Sequence, residues 1–337
     1  MRPKAEFRHD VGFRVPLNPT YMHAALPYFA AEEVHARLDF PTLIDALRDA
    51  FARGASVPQR HVHTVRAADG ARLLLMPAWR EGEALGVKLV TVFPGNRERG
   101  ASTVAALYIL LDGATGHPRA LLDGEALTLR RTAAASALAS SYLSRPESKT
   151  LLVVGAGALA GYMALAHCAA RAIERVLVWG RTAARAEALV ARLRAEGLPA
   201  LRAARLEEAL GVADVVSCAT TAREPVLRGA WVRPGTHVDL VGGFTPEMRE
   251  ADDELLARAA IFVDTRGGAL AEAGDLVQPI AQGRFGPERI HAELAELCSG
   301  AKPGRAAAAD VTVFKSVGTA IEDLCAATLV VDASRPL

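Results

Sequence analysis

The chain has 337 residues, of which 51% are hydrophobic and 23% charged, and its formal net charge at pH 7 is +1. This length suggests two domains with well-formed cores. The near-neutral balance gives no strong field that would favour a nucleic acid or an anionic membrane, and no stretch has the apolar length of a membrane span. The four cysteines lie far apart without a C-x-x-C pair, which favours a reducing, cytoplasmic compartment and no structural metal.

The first part of the chain predicts an α+β region. Residues 1–26 carry charges and prolines but no apolar core of signal-peptide length, and we predict a disordered N-terminal extension there. Patterned sequence begins at Pro27, and a helix is predicted over residues 40–52. Turn sequences then separate four strand-like segments, at residues 61–66, 72–76, 85–92 and 105–112. A long alanine-rich helix over residues 127–143 ends this antiparallel region.

A glycine-rich turn follows an apolar strand after that helix. Thr150–Val154 is an unbroken apolar run, typical of a strand buried on both faces. Gly155-x-Gly157-x-x-Ala160 then fits the dinucleotide fingerprint: a tight turn, a close approach of the backbone to a pyrophosphate, and a small residue where helix and strand pack. The N-terminus of the following helix would offer free N–H groups to the phosphates. We therefore predict a dinucleotide site here.

Strands and helices alternate through the rest of the chain. Short apolar strands are predicted at residues 176–179, 215–219, 237–241 and 260–264. This alternation predicts a Rossmann-type doubly wound parallel sheet. The tail, residues 311–330, returns to a strand and a helix, which we expect to pack on the first domain. The predicted division is a discontinuous α+β catalytic and dimerisation domain, 27–130 plus 310–337, with the Rossmann domain, 131–309, inserted in it.

Five short motifs occur in order along the chain. They are Gly86-Val87-Lys88-Leu89, Arg131-Thr132-Ala133-Ala134, Gly155-Ala156-Gly157-Ala158, Arg249-Glu250-Ala251-Asp252 and Val313-Phe314-Lys315-Ser316-Val317-Gly318. Together they resemble the ornithine cyclodeaminase/mu-crystallin family, from about Pro27 to Val330. The resemblance implies a homodimer in which a Rossmann domain is inserted into a catalytic and dimerisation domain. It also implies an enzyme that transfers a hydride at the α-carbon of an amino or imino acid.

The resemblance further implies that Arg60, Lys88 and Arg131 surround the substrate, with Lys88 and Arg131 as the catalytic pair. A substrate of this class carries a carboxylate, which arginine binds bidentately and lysine binds as a point charge. Lys88 lies in an otherwise apolar strand, where a charge is costly unless it has a partner. The alternative for Lys88 is an edge-strand position that points to solvent. The alternative for Arg131, next to Arg130, is an exposed helix surface.

The cofactor is predicted from the second strand of the alternating region. It ends in Trp179-Gly180-Arg181-Thr182, without the acidic residue that bonds the ribose 2′-hydroxyl of NAD. An arginine and a hydroxyl suit a 2′-phosphate, so we favour NADP(H), with NAD(H) as the alternative. Arg181 could instead simply begin the next helix. The predicted cofactor contacts, several implied only by the resemblance, are Thr103, Arg131, Gly155, Gly157, Ala158, Leu159, Gly180, Arg181, Thr182, Ala219, Thr220, Ser316, Val317 and Gly318.

One departure from the family pattern bears on the chemistry. Cyclodeaminases and related alanine dehydrogenases have an aspartate after two glycines, whereas this chain has Phe244 after Gly242-Gly243. Cyclodeamination needs an acid/base group to expel ammonia, and phenylalanine cannot serve as one. Reduction of a preformed cyclic imine, such as pyrroline-2-carboxylate or piperideine-2-carboxylate, depends more on positioning and on a hydride. We predict an NAD(P)H-dependent imine reductase in which Phe244 is an apolar wall of the substrate site.

Three other functions stay open: an ornithine cyclodeaminase, an alanine dehydrogenase-like oxidoreductase, and a non-catalytic NADPH-dependent binding protein of the mu-crystallin kind. Two further features have plain explanations. His61 and His63 share one face of a strand but are too few for a closed zinc site. The Glu322-Asp323 pair is expected on a solvated helix face.

Overall fold

The computed structural model describes residues 26–333, so the N-terminal extension predicted for residues 1–26 lies almost wholly outside the described residues. The strands are β1 (Tyr28–Phe29), β2 (His61–Arg66), β3 (Ala71–Arg80), β4 (Ala84–Val92), β5 (Val104–Asp112), β6 (Pro118–Asp123), β7 (Thr150–Val154), β8 (Arg175–Trp179), β9 (Ala200–Arg202), β10 (Val215–Cys218), β11 (His237–Leu240), β12 (Ala259–Val263), β13 (Ile290–Glu293) and β14 (Val311–Lys315). The helices are α1 (Ala31–Arg37), α2 (Phe40–Arg53), α3 (Gly124–Leu143), α4 (Ala158–Ala170), α5 (Ala183–Ala195), α6 (Leu206–Leu210), α7 (Asp253–Arg258), α8 (Arg266–Glu272), α9 (Gly274–Ala281), α10 (Leu294–Cys298) and α11 (Ala320–Asp332).

The first sheet has six strands in the order β1-β6-β5-β4-β3-β2. Every pair is antiparallel except β1 with β6, which confirms the predicted antiparallel α+β region. Side chains alternate across a strand, and the buried set, which includes Met76, Tyr108 and Leu122, packs in one core with helices α2, α3 and α11. Helix α2 begins where the Asp39 carboxylate accepts a hydrogen bond from the Thr42 N–H, 3.0 Å away.

The second sheet has eight strands, all parallel, in the order β13-β12-β14-β11-β10-β7-β8-β9. Every residue of β7 is buried. Leu151 and Val153 pack with helices α4 and α5, whereas Leu152 and Val154 pack with helices α6 and α7. Both faces are therefore covered, and the predicted Rossmann-type doubly wound sheet is confirmed.

One hydrophobic cluster contains buried residues of both sheets, among them Tyr108 and Phe314. The chain passes between the two sheets differently from the predicted division. Strand β14 was assigned with residues 310–337 to the first domain, but it lies between β11 and β12 in the parallel sheet. The physical reason is that all five of its residues are buried, as a central parallel strand requires. Helix α11 then packs against β3, β4 and β5 of the first sheet, as expected. Between residues 26 and 333, no helix has the length and apolar character needed to cross a membrane.

Candidate active site

A cavity of about 280 Å³ opens between the two sheets. Its lining includes Arg60 from the segment before β2, Met76 from β3, Glu272 at the end of α8, and Gly318 just before α11. Arg60 Nε lies 3.1 Å from a carboxylate oxygen of Glu272. Burial raises the pKa of Glu272, although the charge of Arg60 opposes the shift. The cavity therefore presents one cation and one carboxylate, already paired with each other.

The loop Ser316–Gly318 joins β14 to α11, and its Gly318 forms part of one wall of this cavity. Asp264, at the end of β12, accepts hydrogen bonds from the N–H groups of Val317 and Gly318 at 2.8 and 2.7 Å. Arg60 donates to the carbonyl oxygens of the same two residues at 3.0 and 2.6 Å. Gly318 has φ +81°, and a Cβ atom there would lie 2.5 Å from the guanidinium of Arg131. Only glycine lets the loop pass this close to Arg131.

Lys88 and Arg131 are buried next to residues that line the cavity but are not themselves part of its lining. Lys88 is 2% exposed and is the register partner of Met76, which lines the cavity. Its Nζ lies 2.8 and 2.9 Å from the two oxygens of Asp323. Arg131 donates to Glu322 at 2.5 Å, and its Nε lies 3.0 Å from Asp323. The structure thus brings together the three predicted cations, Arg60, Lys88 and Arg131, and places neither Lys88 nor Arg131 at the surface.

The carboxylates of this cluster correct the sequence prediction. Glu322 and Asp323 were expected on a solvated helix face, but they are 1% and 0% exposed. They are buried because α11 packs on the first sheet with its N-terminal turn over Lys88. Burial raises the pKa of Glu322 to about 7, against the pull of Arg131. Burial and the neighbouring Arg131 lower the pKa of Lys88 to about 8, although Asp323 opposes the shift.

The glycine turn has the geometry of a dinucleotide cradle. Gly155 has φ +123°, and a Cβ atom there would lie 2.4 Å from the Ala219 carbonyl oxygen. Gly157, by contrast, is exposed, and a Cβ atom on it would meet nothing within 4 Å. Ala158 begins helix α4, whose first N–H groups are open to this surface. The residues present therefore fit the diphosphate of a nicotinamide dinucleotide.

An open basic cavity adjoins this turn. It has a volume of about 380 Å³, and its lining includes Gly157, Arg185 and Arg192. Gly180 lies against the turn, since a Cβ atom on it would be 3.4 Å from that of Ala156. Arg181 is exposed. Among residues 26–333, the side chains of Arg181, Arg185 and Arg192 have neither an ion pair nor a hydrogen bond. Three unpaired arginines give this end of the site a surplus of positive charge.

A second buried network supports the loops at the carboxyl ends of β10 and β11. The Glu250 carboxylate accepts hydrogen bonds from the Thr220 N–H and hydroxyl at 2.8 and 2.7 Å and from the Gly242 N–H at 2.7 Å. Asp275 accepts from the Glu250 N–H at 2.7 Å, and its other oxygen lies 3.2 Å from Lys315 Nζ. The sequence predicted Thr220 as a cofactor contact and placed Glu250 and Lys315 in family motifs, but it did not predict that these residues form one network with Asp275. The signal was available for Lys315, which, like Lys88, is a charge inside an apolar strand.

The remaining predicted contacts lie less centrally. Phe244 follows the Gly242-Gly243 turn and is 50% exposed. Thr103 precedes β5, where its carbonyl accepts the Phe93 N–H at 2.8 Å. Leu159 packs against the hydrophobic core. Thr182 precedes helix α5 without a side-chain cap. The roles predicted for these residues stay predictions.

A parallel sheet with a dinucleotide cradle, beside a buried cluster of cations, defines a nicotinamide-dependent oxidoreductase. Residues 28–336 match the model of the ornithine cyclodeaminase/mu-crystallin family, and the chain belongs to this family. It is 40% identical over 314 residues to Delta(1)-pyrroline-2-carboxylate reductase of Paracoccus denitrificans, with 91% of this chain and 96% of the relative covered.

Solved structures give the same assignment. The fold is similar to that of Thermococcus litoralis Delta(1)-pyrroline-2-carboxylate reductase in complex with NADH and L-proline, with a TM-score of 0.87, 35% identity, and coverage of 91% of this chain and 97% of the other. It is also similar to an archaeal alanine dehydrogenase dimer with bound NAD, with a TM-score of 0.85, 31% identity, and coverage of 91% and 95%. The predicted family and the predicted class, an NAD(P)H-dependent oxidoreductase acting on CH–NH or C=N bonds, are confirmed.

Proposed function

We propose that this protein reduces a cyclic imino acid of the pyrroline-2-carboxylate or piperideine-2-carboxylate type to the cyclic amino acid. The observation that carries the proposal is the buried pair Lys88 and Arg131 beneath a small cavity, combined with Phe244 where the family's cyclodeaminases have an aspartate. The similarity to reductases of this substrate class, one of them bound to NADH and L-proline, supports it.

The side chains of the site have distinct tasks in this reaction. Lys88 and Arg131 attract the substrate carboxylate, because a carboxylate that leaves water needs charge-assisted hydrogen bonds. Arg60 fixes the Val317–Gly318 wall and so sets the width of the cavity. Phe244 covers the ring of the substrate and excludes water. When bound, the nicotinamide supplies a hydride to the α-carbon. The imine nitrogen enters protonated, so the site needs no base to expel ammonia.

We favour NADP(H) over NAD(H) for the same site. The surplus positive charge of Arg181, Arg185 and Arg192 beside the glycine turn supports this preference, because a 2′-phosphate adds about two negative charges where NAD has a hydroxyl. The ribose 2′-hydroxyl of NAD normally meets an acidic residue at the end of the second strand, and this chain has Arg181 and Thr182 there.

We also propose a homodimer formed through the first sheet. The face opposite α2, α3 and α11 is apolar and only partly buried; it is formed by Leu73, Leu75, Leu85, Val87, Leu89, Leu107, Ile109, Leu111 and Leu121. A contiguous apolar sheet face of this kind is typical of a protein interface. The similar archaeal alanine dehydrogenase is a dimer. A cytoplasmic location likewise stays a prediction.

One second candidate function has an observation in its favour. Ornithine cyclodeamination needs an acid/base group in the cavity, and Glu272 lines it with a raised pKa. Its ion pair with Arg60 engages this carboxylate, which is why we favour the reductase.

The deciding experiment follows absorbance at 340 nm after the purified protein is mixed with NADPH or NADH and each cyclic imine. Saturable oxidation of NADPH, with a higher kcat/KM than for NADH, is the expected result. Release of ammonia from L-ornithine at a comparable rate would favour the cyclodeaminase. Tight NADPH binding without oxidation in the presence of either imine would favour the mu-crystallin-like binding protein and refute the reductase.

A further inference from the structure

The two cations below the cavity share one buried carboxylate. Asp323 lies 2.8 and 2.9 Å from Lys88 Nζ and 3.0 Å from Arg131 Nε, and all three side chains are almost fully buried. Glu322, the neighbouring acid, contacts only Arg131 of the two cations. Lys88 comes from strand β4, Arg131 from helix α3 and Asp323 from helix α11. The carboxylate of Asp323 is thus the point at which three elements meet.

The surroundings of Asp323 fix where it lies. Helix α11 begins at Ala320, directly after the Val317–Gly318 wall, and its neighbours Ile321 and Leu324 are buried in the core. Thr319 and Glu322 form a capping box at this helix start. A helix that is both capped and packed holds a carboxylate on its first turns within a narrow range of positions.

We propose that Asp323 is a positioning residue, which holds the Lys88 ammonium and the Arg131 guanidinium at the spacing that a substrate carboxylate requires. This proposal rests on the proposed reductase function. Without Asp323, two like charges would face each other in a buried site and move apart. Asp323 pairs with both cations, so in this proposal it acts through Lys88 and Arg131 and not on the substrate.

The charge state of Lys88 is part of this arrangement. Lys88 also donates a hydrogen bond to the Thr128 hydroxyl at 3.2 Å, and its register partner on β5 is Tyr108, whose buried hydroxyl has no hydrogen-bond partner among the described residues. Arg131 and, more weakly, Arg60 repel its charge. Asp323 is the carboxylate that keeps Lys88 protonated, and its removal would lower the pKa of Lys88 below about 8.

The test compares Asp323→Asn with a matched control. Asp332→Asn removes another carboxylate of helix α11, an exposed one paired with Arg119 at 2.7 Å. The chain has only five lysines, so the Lys88 side chain can be followed by NMR of ¹³C-labelled lysine and assigned with Lys88→Met. We expect Asp323→Asn to lower the Lys88 pKa by about 1–3 units and Asp332→Asn to leave it unchanged.

Kinetics provide the second readout. We expect Asp323→Asn to raise KM for the imine by about 10-fold or more, and to move the alkaline limb of the kcat/KM profile to lower pH. In a Lys88→Met background, Asp323→Asn should lower kcat/KM by a much smaller factor than it does in the wild-type protein, because Asp323 acts partly through Lys88. An unchanged Lys88 titration, or a full additional loss in the double variant, would overturn the proposal.

Two outcomes separate this proposal from its premises. If the wild-type protein reduces no imine but Asp323→Asn still shifts the Lys88 titration, the reductase function fails and the counterion role of Asp323 stands. If Asp323→Asn alone does not fold, the Lys88→Met/Asp323→Asn variant removes both charges of the pair. If the double variant folds, the result supports the pairing of Lys88 with Asp323. If the double variant is as unstable as Asp323→Asn, the result overturns the proposal.

Discussion

In the dinucleotide turn, Gly155 is needed for the backbone conformation and Gly157 for the approach of the cofactor. Substituting each glycine by alanine distinguishes these two roles. Gly155→Ala places a Cβ atom 2.4 Å from the Ala219 carbonyl, which must retreat by about 1 Å, at a residue with φ +123°. The backbone conformation costs about 1–3 kcal/mol, and the overlap adds about 1–2 kcal/mol. A loss of about 2–5 kcal/mol in the free energy of unfolding lowers the Tm of a chain of 337 residues by about 3–7 °C, measured by calorimetry without cofactor.

Gly157→Ala is the matched change on the same turn. Gly157 has φ −83° and ψ −177°, which alanine adopts freely, and its Cβ atom would meet open space. Its Tm should stay within a few degrees or rise slightly, because alanine reduces the entropy of the unfolded chain. NADPH affinity, measured by fluorescence titration, should fall by about 10-fold or more, since the methyl group occupies the surface that the diphosphate approaches. A stable Gly155→Ala variant, or a Gly157→Ala variant with unchanged NADPH affinity, would refute this assignment.

Three further predictions concern other parts of the molecule. Burial, with repulsion from nearby His167, holds the pKa of His237 well below 6.5. The unfolded chain therefore binds more protons, and the free energy of unfolding falls as pH drops below about 6.5, by up to about 1.4 kcal/mol per pH unit. In urea titrations at several pH values, His237→Gln should flatten this slope, and substitution of the exposed His63 by Gln should not. Phe244→Ala should raise KM for the imine by up to about 30-fold, because it removes roughly 2 kcal/mol of apolar burial. NADPH affinity, which should stay unchanged, is the control. An unchanged KM would show that Phe244 is not part of the substrate site. Leu89→Asp should convert the protein to monomers in light scattering, and a dimer that persists would place the interface elsewhere.

Local sequence signals predicted the scaffold of the site well. The strand Thr150–Val154, the turn after it and the helix that follows have the predicted positions, because strand burial, glycine conformations and helix starts are local properties. The expectation that Lys88 needs a partner is also confirmed. The cost of a charge in an apolar strand could be read from the sequence, but the identity of the partner, 235 residues away, could not.

The errors have a common physical origin. Glu322 and Asp323 stand side by side in the first turn of a helix, where acidic residues ordinarily favour solvent and the helix dipole. Only the packing of α11 onto the first sheet buries them. In the same way, β14 was assigned to the wrong side of the domain boundary because a short apolar strand carries no mark of which sheet it joins. Strand pairing and helix packing depend on contacts between residues far apart in the sequence, which local sequence patterns do not specify.

Each of the two sheets carries one buried lysine that is paired with a carboxylate. Lys88 of the first sheet pairs with Asp323, and Lys315 of the parallel sheet lies 3.2 Å from Asp275. Buried ion pairs of this kind contribute little to stability, because desolvation of the two charges offsets their attraction. Apolar side chains in both strands would stabilise the fold at least as well. Arg131, which also pairs with Asp323, lies beside Gly318 of the cavity lining, and Lys315 and Asp275 lie beside Gly243. Their location therefore favours a role in holding charges and backbone in place around the proposed substrate site, and this role explains why the fold keeps ion pairs that add little stability.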